Sequence, residues 1–132
     1  MAALDHFKLV NDWLGHAAGD AALRKAARRI SLCVRPYDSP CRYGGEEFLI
    51  VLPGLRFGGG HLARRKNRSA LVVTPFQIPE GMLNVICSIG VSASSGDAGF
   101  DATALLREAD EALYTAKNHD RTGSRSSLRN LF

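Results

Sequence analysis

The sequence predicts an α/β (α+β) sandwich, in which helices cover the faces of a sheet. Apolar residues recur at helical spacing over 20–34 and again over 102–118, and segments of strand character lie between these ranges. Two adjacent glycines, Gly44 and Gly45, separate two strand-like runs, which is typical of a hairpin. Helices interleaved with strands are expected to pack in layers around one core.

The first predicted helix spans 20–34. Asp20 has the side chain of a good N-cap, and apolar residues follow it at helical spacing as far as Val34. Pro36 disfavours a helical conformation in the residue before it, so the helix is expected to end there.

The hairpin is predicted to join the runs 40–43 and 46–52. A type I′ turn needs positive φ at both central residues, which suits Gly44 and Gly45. The run 48–52 is continuously apolar, as in a strand that is covered on both faces.

The second half of the chain alternates between the same two kinds of element. A helix over 55–73 is weakened by three consecutive glycines. Apolar residues alternate over 83–91, which predicts a strand with one buried face. Asp101 is expected to cap a last helix over 102–118, and 121–132 is a basic tail with room for a short last strand.

Length and composition bound the class of protein. The 132 residues suit one domain, and 45% hydrophobic and 23% charged residues are ordinary for a globular chain. No apolar run near 18 residues and no signal peptide is present, so no membrane span is expected. Three cysteines without a CxxC pair fit a reduced chain, and we expect a cytoplasmic location.

The charge balance is basic. The net charge is +4 and the isoelectric point is about 9.3, with basic clusters over 64–68 and 121–129. Clustered positive charge suits partners that carry phosphate, whereas a solvated helix face and a loose basic tail are the simpler interpretation.

Short motifs follow one another through nearly the whole chain. They are Asp5-His6-Phe7-Lys8, Asn11-Asp12, Gly15-His16, Gly19-Asp20, Arg42-Tyr43-Gly44-Gly45-Glu46-Glu47-Phe48, Leu83-Asn84-Val85, Ser88-Ile89-Gly90-Val91 and the run 109–117. In this order and spacing they resemble the GGDEF family of diguanylate cyclases. The resemblance implies a three-layer sandwich with a mixed sheet flanked by helices. It also implies the condensation of two GTP molecules into cyclic di-GMP, with one GTP and Mg²⁺ on each of two facing domains.

The resemblance assigns roles to acidic residues and glycines at the hairpin. Glu46 would bind Mg²⁺ and help activate the ribose hydroxyl, and Glu47 would be a second carboxylate at the site. Gly44 and Gly45 would let the backbone approach the nucleotide closely. Without the resemblance, the two glutamates are simply surface residues beside a hairpin.

Four further residues match the positions that hold GTP in the family. Asn11 and Asp20 would read the guanine edge, and Lys117 and Arg121 would reach the phosphates. Simpler roles are available, because Asp20 suits a helix cap and basic residues complement the C-terminus of a helix.

The chain departs from the family at its first metal ligand. The expected aspartate is replaced by Ala3, and Leu4 retains only the backbone carbonyl that the family also uses for the metal. Asp5 lies two positions further on, about 6.6 Å along a strand, which is too far to replace the ligand unaided. Because Mg²⁺ needs a tight octahedron of oxygens, we expect its binding to be weakened.

A second departure concerns the start of the domain. The family has a helix and an inner strand before this point, so 1–132 is interpreted as a single GGDEF domain that is incomplete at its N-terminus, with the inner first strand missing. The neighbouring strands would then have unpaired backbone groups, from which we expect a homo-oligomer formed by strand exchange.

A separate ligand site is indicated at the end of the first helix. Arg35 and Asp38 match the RxxD product-binding site of many family members, and Lys66 falls near a basic residue that some members add. Arginine can form two hydrogen bonds with guanine, and aspartate accepts hydrogen bonds from its other edge. The simpler interpretation is a local ion pair.

Three functions are compared on these residues. The favoured one is a domain that binds cyclic di-GMP at the RxxD site and has weak or no cyclase activity. The alternative is an active, Mg²⁺-dependent dimeric cyclase. A domain that binds nucleic acid is set aside, because no strand rich in aromatic residues is present.

Overall fold

A four-stranded sheet forms the centre of the domain in the computed structural model, which describes residues 1–54, 75–94 and 101–123. Its strands are β1 (Ala2–Leu4), β2 (Ser39–Gly44), β3 (Glu47–Val51) and β6 (Cys87–Ile89), in the order β2-β3-β1-β6. A second sheet pairs β4 (Phe76–Ile78) with β5 (Gly81–Leu83). The helices of the described ranges are α1 (Phe7–Leu14), α2 (His16–Cys33) and α3 (Ala102–Gly123).

Residues 1–4 divide the core between the two faces of the central sheet. Ala2 and Leu4 pack against the apolar side of α2, while Met1 and Ala3 pack against Leu113 and its neighbours on α3. Successive side chains of a strand point to opposite faces, so this alternation places one helix on each side. The predicted three-layer α+β sandwich is confirmed.

The central sheet is antiparallel at each pairing in the described residues, whereas the resemblance implies a mixed sheet. Its inner strand is present. Ala2 pairs with Phe48 of β3 on one side and with Ile89 of β6 on the other. The expectation that this strand is missing is therefore wrong for residues 2–4, because three residues suffice to bridge β3 and β6. Along residues 2–4 the backbones of β3 and β6 are paired with β1, so unpaired strands no longer favour strand exchange there.

The first two helices differ from the prediction. The helix predicted from Asp20 begins at His16, so that Asp20 lies inside α2 and the N-cap position is Gly15, without a side-chain cap. α1 was not predicted. It meets α2 at Gly15, whose φ of 83° turns the chain sharply between them.

The last helix begins as predicted and ends later. The Oδ1 atom of Asp101 accepts hydrogen bonds from the backbone N–H groups of Thr103 and Ala104, at 2.9 and 3.1 Å, which confirms the cap. α3 continues to Gly123 rather than ending at 118, so the start of the expected basic tail is helical.

The hairpin is confirmed as β2 and β3, but β3 is not covered on both faces. Phe48 is buried, whereas Val51 is 47% exposed and ends the strand. α3 packs over β6 and β1, so the far end of β3 receives little cover from it. The apolar run alone did not distinguish these two ends.

The strand predicted over 83–91 is divided between two sheets. Leu83 pairs with Phe76 of β4, while Cys87 pairs with Leu4 of β1, and 84–86 belongs to neither sheet. Leu83, Val85, Cys87 and Ile89 are all buried, as the alternation predicts. The expected single buried face is wrong, however, because every residue of β6 is buried and Val91 is 42% exposed. The small sheet is tied to α2 by Arg29, whose guanidinium lies 4.3 Å from the centre of the Phe76 ring and donates to the Pro75 carbonyl oxygen at 3.0 Å.

Some predictions fall outside the described residues. They are the helix over 55–73, Lys66 and the tail from 124 onward. Within the described ranges, none of the helices combines the length and the apolar character that a membrane crossing needs.

Candidate functional site

The tip of the β2–β3 hairpin brings the predicted acidic residues to the end of β1. Gly44 pairs with Glu47, so the loop consists of Gly45 and Glu46, and of the two glycines only Gly45 has a positive φ, of 24°. The predicted type I′ turn centred on Gly44 and Gly45 is therefore wrong. A register shift after Arg42 adds a residue to β2 and moves the turn along the chain.

Two backbone contacts fix this tip. The Nε atom of Arg42 donates to the carbonyl oxygen of Gly45 at 3.0 Å, and the backbone N–H of Leu4 donates to the carbonyl oxygen of Glu46 at 3.2 Å. Glu46 is half-buried as a result. The hairpin loop is thus held against β1 by two different elements.

Glu47 and Lys117 are brought together, although the resemblance gives them different roles. The Nζ atom of Lys117 lies 3.7 Å from Oε1 of Glu47, and their side chains are 24% and 33% exposed. Lys117 lies on α3, one helical turn beyond the buried Leu113, so the packing of that helix determines where its ammonium group lies. Nothing is described of the Arg121 side chain, which the resemblance pairs with Lys117.

The donors expected for Mg²⁺ do not form a complete set. Ala3 is fully buried against α3, lies opposite Glu47 in the register and offers no side-chain oxygen. Glu46 and the carbonyl of Leu4 remain from the implied ligands. In residues 1–54, 75–94 and 101–123, no three Asp, Glu, His or Cys side chains lie together as a metal site. These residues do not fit the metal.

Asp5 is held by β6, the neighbour of β1 on the side away from the hairpin. The hydroxyl of Ser88 donates to both carboxylate oxygens, at 3.0 and 2.9 Å, and the backbone N–H of Asp5 donates to the carbonyl oxygen of Ile86 at 2.8 Å. Ser88 is buried and pairs with Ala3. Sequence reasoning missed the contribution of Ser88, for which the only signal was a polar residue within an apolar alternation.

Asn11 and Asp20 lie on adjoining helices. Asn11 is on α1, and its side chain packs on Gly19 of α2, the residue before Asp20. Asp20 is exposed, so its carboxylate is accessible to a ligand. The structure therefore places both predicted guanine-reading residues at one end of the α1–α2 pair.

Arg35 and Asp38 form a tight local pair between α2 and β2. The Nε atom of Arg35 lies 3.1 and 3.0 Å from the two carboxylate oxygens, and Nη2 lies 2.7 Å from Oδ1. The backbone N–H of Arg35 also donates to Oδ2, at 2.8 Å. The Asp38 side chain is only 2% exposed, whereas that of Arg35 is 35% exposed. The carboxylate is thus nearly saturated, and the guanidinium keeps an accessible side.

The surroundings of this pair fix the guanidinium further. Nη2 of Arg35 donates to the carbonyl oxygen of Pro53 at 3.1 Å, and the guanidinium carbon lies 4.4 Å from the centre of the Tyr37 ring. The hydrogen bonds from Arg35 hold the pKa of Asp38 below its usual value, although desolvation opposes the shift. The same hydrogen bonds raise the pKa of Arg35, so both groups are charged near neutral pH.

A cavity of about 210 Å³ opens between α2 and β2, next to the hairpin. Its floor is formed by Leu23, Ala27, Ile30 and Phe48, and Arg24 and Arg42 stand on its two walls. No sequence pattern indicated this cavity, because the α2 residues that line it belong to the same apolar stripe that fills the core.

The comparison with protein families decides the identity of the fold. The profile described as "Diguanylate cyclase, GGDEF domain" matches residues 1–123. The chain belongs to the GGDEF family. The predicted family membership is confirmed, and the hairpin Gly44-Gly45-Glu46-Glu47-Phe48 is its signature segment.

Two named relatives of this GGDEF chain are much longer than the chain itself. The response regulator PleD of Caulobacter vibrioides is 44% identical over 116 residues, which cover 86% of this chain and 25% of PleD. Diguanylate cyclase DgcP of Pseudomonas aeruginosa is 36% identical over 118 residues, which cover 89% of this chain and 17% of DgcP. The chain therefore spans a quarter or less of the length of these two relatives.

A solved GGDEF domain has the same fold with a ligand present. The GGDEF domain of DgcB from Caulobacter crescentus, in complex with c-di-GMP, gives a TM-score of 0.80 at 26% identity. The match covers 89% of this chain and 70% of that one. The fold described above is thus that of GGDEF domains.

Proposed function

We propose that this GGDEF domain belongs to cyclic di-GMP signalling as a binding module, which binds cyclic di-GMP at Arg35 and Asp38 and turns over GTP weakly or not at all. One contrast carries the proposal. The position of the first metal ligand is Ala3, which is buried in apolar contact, while the Arg35–Asp38 pair is complete and held in place.

The geometry of the pair suits a guanine base. Asp38 holds the guanidinium of Arg35 in one plane, and Tyr37 lies against it. A guanidinium can donate hydrogen bonds to O6 and N7 of guanine. Because Nε and Nη2 of Arg35 already donate to Asp38 and Pro53, the N–H groups on Nη1 would make this contact. Arg35 is already oriented in the free domain, so binding orders fewer side chains. Lys66 is the further basic residue that we propose for this site.

A GTP site is part of the same proposal. Asn11 and Asp20 would read the base, the backbone at Gly44 and Gly45 would approach the nucleotide, and Lys117 and Arg121 would bind its phosphates. The contact of Lys117 with Glu47 supports this arrangement, because it brings a phosphate-binding cation to the hairpin. GTP would be held without the complete metal site that phosphoryl transfer requires.

The alternative is an active diguanylate cyclase that works as a Mg²⁺-dependent dimer. Glu46, Glu47 and Lys117 around the hairpin favour it. The loss of one carboxylate at the Mg²⁺ site argues against an active cyclase. It would displace the reacting groups, and small displacements can lower the rate about a hundredfold. We propose further that the chain acts in the cytoplasm as one GGDEF domain, and that cyclic di-GMP, with its two guanines, bridges two copies.

Calorimetric titration with cyclic di-GMP tests the binding proposal. Arg35→Ala is expected to weaken binding by about tenfold or more, while Glu46→Ala changes it little. Arg35→Lys keeps the charge but not the two-pronged contact, so it should weaken binding similarly. Arg28→Ala, an exposed arginine on α2, is the matched control. Wild-type affinity in Arg35→Ala would reduce the pair to a local salt bridge.

Turnover of GTP with Mg²⁺ tests the second half of the proposal. We expect product formation near the detection limit of a chromatographic assay. Efficient synthesis of cyclic di-GMP by the purified chain, abolished in Glu46→Ala, would establish the cyclase alternative instead.

A further inference from the structure

Gly19 forms the seat of the Asn11 side chain. A Cβ atom on Gly19 would collide with the carboxamide oxygen of Asn11 and would stand 3.1 Å from Cζ of Phe7. Carbon atoms do not approach so closely without displacement, so any side chain at this position would move Asn11. Gly19 lies within α2 and is buried, where an alanine would otherwise favour the helix.

The backbone brings Asn11 to this seat. Gly15, between α1 and α2, has φ 83° and ψ 165°, a conformation that a residue with a side chain rarely adopts. Its N–H donates to the carbonyl oxygen of Asn11 at 2.9 Å, and the N–H of Gly19 donates to the carbonyl oxygen of Gly15 at 3.3 Å. Both the main chain and the side chain of Asn11 are therefore located by glycines.

We propose that Gly19 is a positioning residue that sets the base selectivity of the nucleotide site, by holding the Asn11 carboxamide beside Asp20. The inference rests on the GTP site of the proposed function and adds the residue that makes it selective. A carboxamide can donate to O6 or N7 of guanine, and a carboxylate accepts from its N–H groups. Adenine has an amino donor in place of O6 and an acceptor at N1, while its N7 accepts like that of guanine, so discrimination requires both groups at a fixed separation.

The placement of the two groups follows from the contacts. Asp20 is the next residue after Gly19 and moves with α2, whereas Asn11 moves with α1. Without a fixed contact between the helices, the distance between carboxamide and carboxylate would vary with helix packing. The close approach at Gly19 removes that freedom. A residue with a Cβ would separate the two readers and leave the phosphate-binding residues where they are.

Titration of the full chain with GTP and with ATP, in EDTA, tests this role. Gly19→Ala and Asn11→Ala are each expected to weaken GTP binding about tenfold and to leave ATP binding unchanged, since each removes one hydrogen bond to the base. The variant with both changes should bind GTP no more weakly than Asn11→Ala alone, because Gly19 acts only through the Asn11 side chain. Asp12→Ala, on the exposed side of α1, is the control.

The outcomes separate this inference from the proposal beneath it. Equal losses of GTP and ATP affinity in Gly19→Ala would indicate a structural role, and wild-type affinity for both nucleotides would indicate no role; either result overturns the inference. Wild type without preference for GTP would overturn the GTP site as well, while titration with cyclic di-GMP at Arg35 remains an independent test.

A second variant covers the case in which Gly19→Ala does not fold. Asn11→Gln leaves Gly19 intact and lengthens the carboxamide by one methylene, so that it no longer fits the seat. Its selectivity for GTP should fall about tenfold while circular dichroism and the melting temperature stay near wild type. Wild-type selectivity for GTP in Asn11→Gln would contradict the proposal that Gly19 positions the carboxamide.

Discussion

Ala3 lies directly opposite Glu47 in the antiparallel pair of β1 and β3, and both residues face α3. Side chains opposite one another in such a pair are about 5 Å apart at Cβ. In this chain the pair consists of a methyl group in the core and a carboxylate that contacts Lys117. A carboxylate at position 3 would therefore lie beside the carboxylate of Glu47.

Restoring that ligand should make the stability of the domain depend on metal. Ala3→Asp introduces a carboxylate at a fully buried position next to Glu47, which should lower the free energy of unfolding by about 2–3 kcal/mol in EDTA. Mg²⁺ should recover much of the loss and raise GTP turnover. Thermal melts with and without MgCl₂ measure this, and Ala3→Asn serves as the uncharged control. A loss that Mg²⁺ leaves unchanged in Ala3→Asp would contradict the prediction.

Lys117→Met should separate phosphate binding from base recognition. The change removes the ammonium group and keeps the apolar stem, so the affinity for GTP should fall about tenfold while that for guanosine is unchanged. Because the contact with Glu47 is partly exposed, the cost in stability should stay below about 1 kcal/mol. Arg107→Ala, a largely exposed residue on α3, is the control. Equal losses for both ligands would place Lys117 outside the phosphate site.

The contribution of Asp38 to stability should disappear in acid. Its pKa is lowered in the folded domain from the ordinary value of 3.8, chiefly by the hydrogen bonds from Arg35. Between the folded and unfolded pKa the unfolded chain binds more protons, so stability rises with pH through that interval. The contribution is complete above the unfolded pKa and is lost as pH falls through the folded one.

Urea unfolding of wild type and Asp38→Asn from pH 2.5 to pH 7 tests this dependence. The difference between them should be constant near neutral pH and should shrink below about pH 4, as wild-type Asp38 is protonated. A difference that is the same at both ends of the range would show that the carboxylate is not stabilised by its charge.

Ser88→Ala should destabilise the domain without affecting its ligands. The hydroxyl donates to both carboxylate oxygens of Asp5 from a buried position, so its loss should lower the free energy of unfolding by about 1–2 kcal/mol. Ser39→Ala, at an exposed position on β2, is the matched control. Affinity for cyclic di-GMP should remain that of wild type. Reduced affinity would mean that Ser88 acts on the Arg35 site through the sheet.

Local signals predicted those elements whose ends are set by local chemistry. Asp101 both predicts and forms the cap of α3, and the α2 stripe faces the core as expected. Asp20 led to a wrong start for α2. It has the side chain of a good N-cap, but the helix already begins after Gly15, so Asp20 lies within it. A single glycine with positive φ determined that start, and positive φ leaves no periodic pattern in a sequence.

The pairing of strands that are far apart in the chain could not be predicted from the sequence. β1 has three residues, too few for any periodicity, and its place between β3 and β6 depends on partners far along the chain. The split of 83–91 between two sheets has the same origin. For the site, the residues themselves came from the family motifs, while the contacts of Lys117 with Glu47 and of Asn11 with Gly19 required the packing of helices.

The position of β1 also constrains the order in which the domain can fold. Met1 and Gly90 exchange hydrogen bonds although they are 89 positions apart in the chain. Loops of such length close slowly, because chain entropy is lost before the contacts form. During synthesis, residues 1–4 therefore leave the ribosome well before residues 87–90, and their pairing is completed only after those residues have been made. Until β6 has been made, β1 can join only the hairpin, and its other edge stays open to any strand nearby.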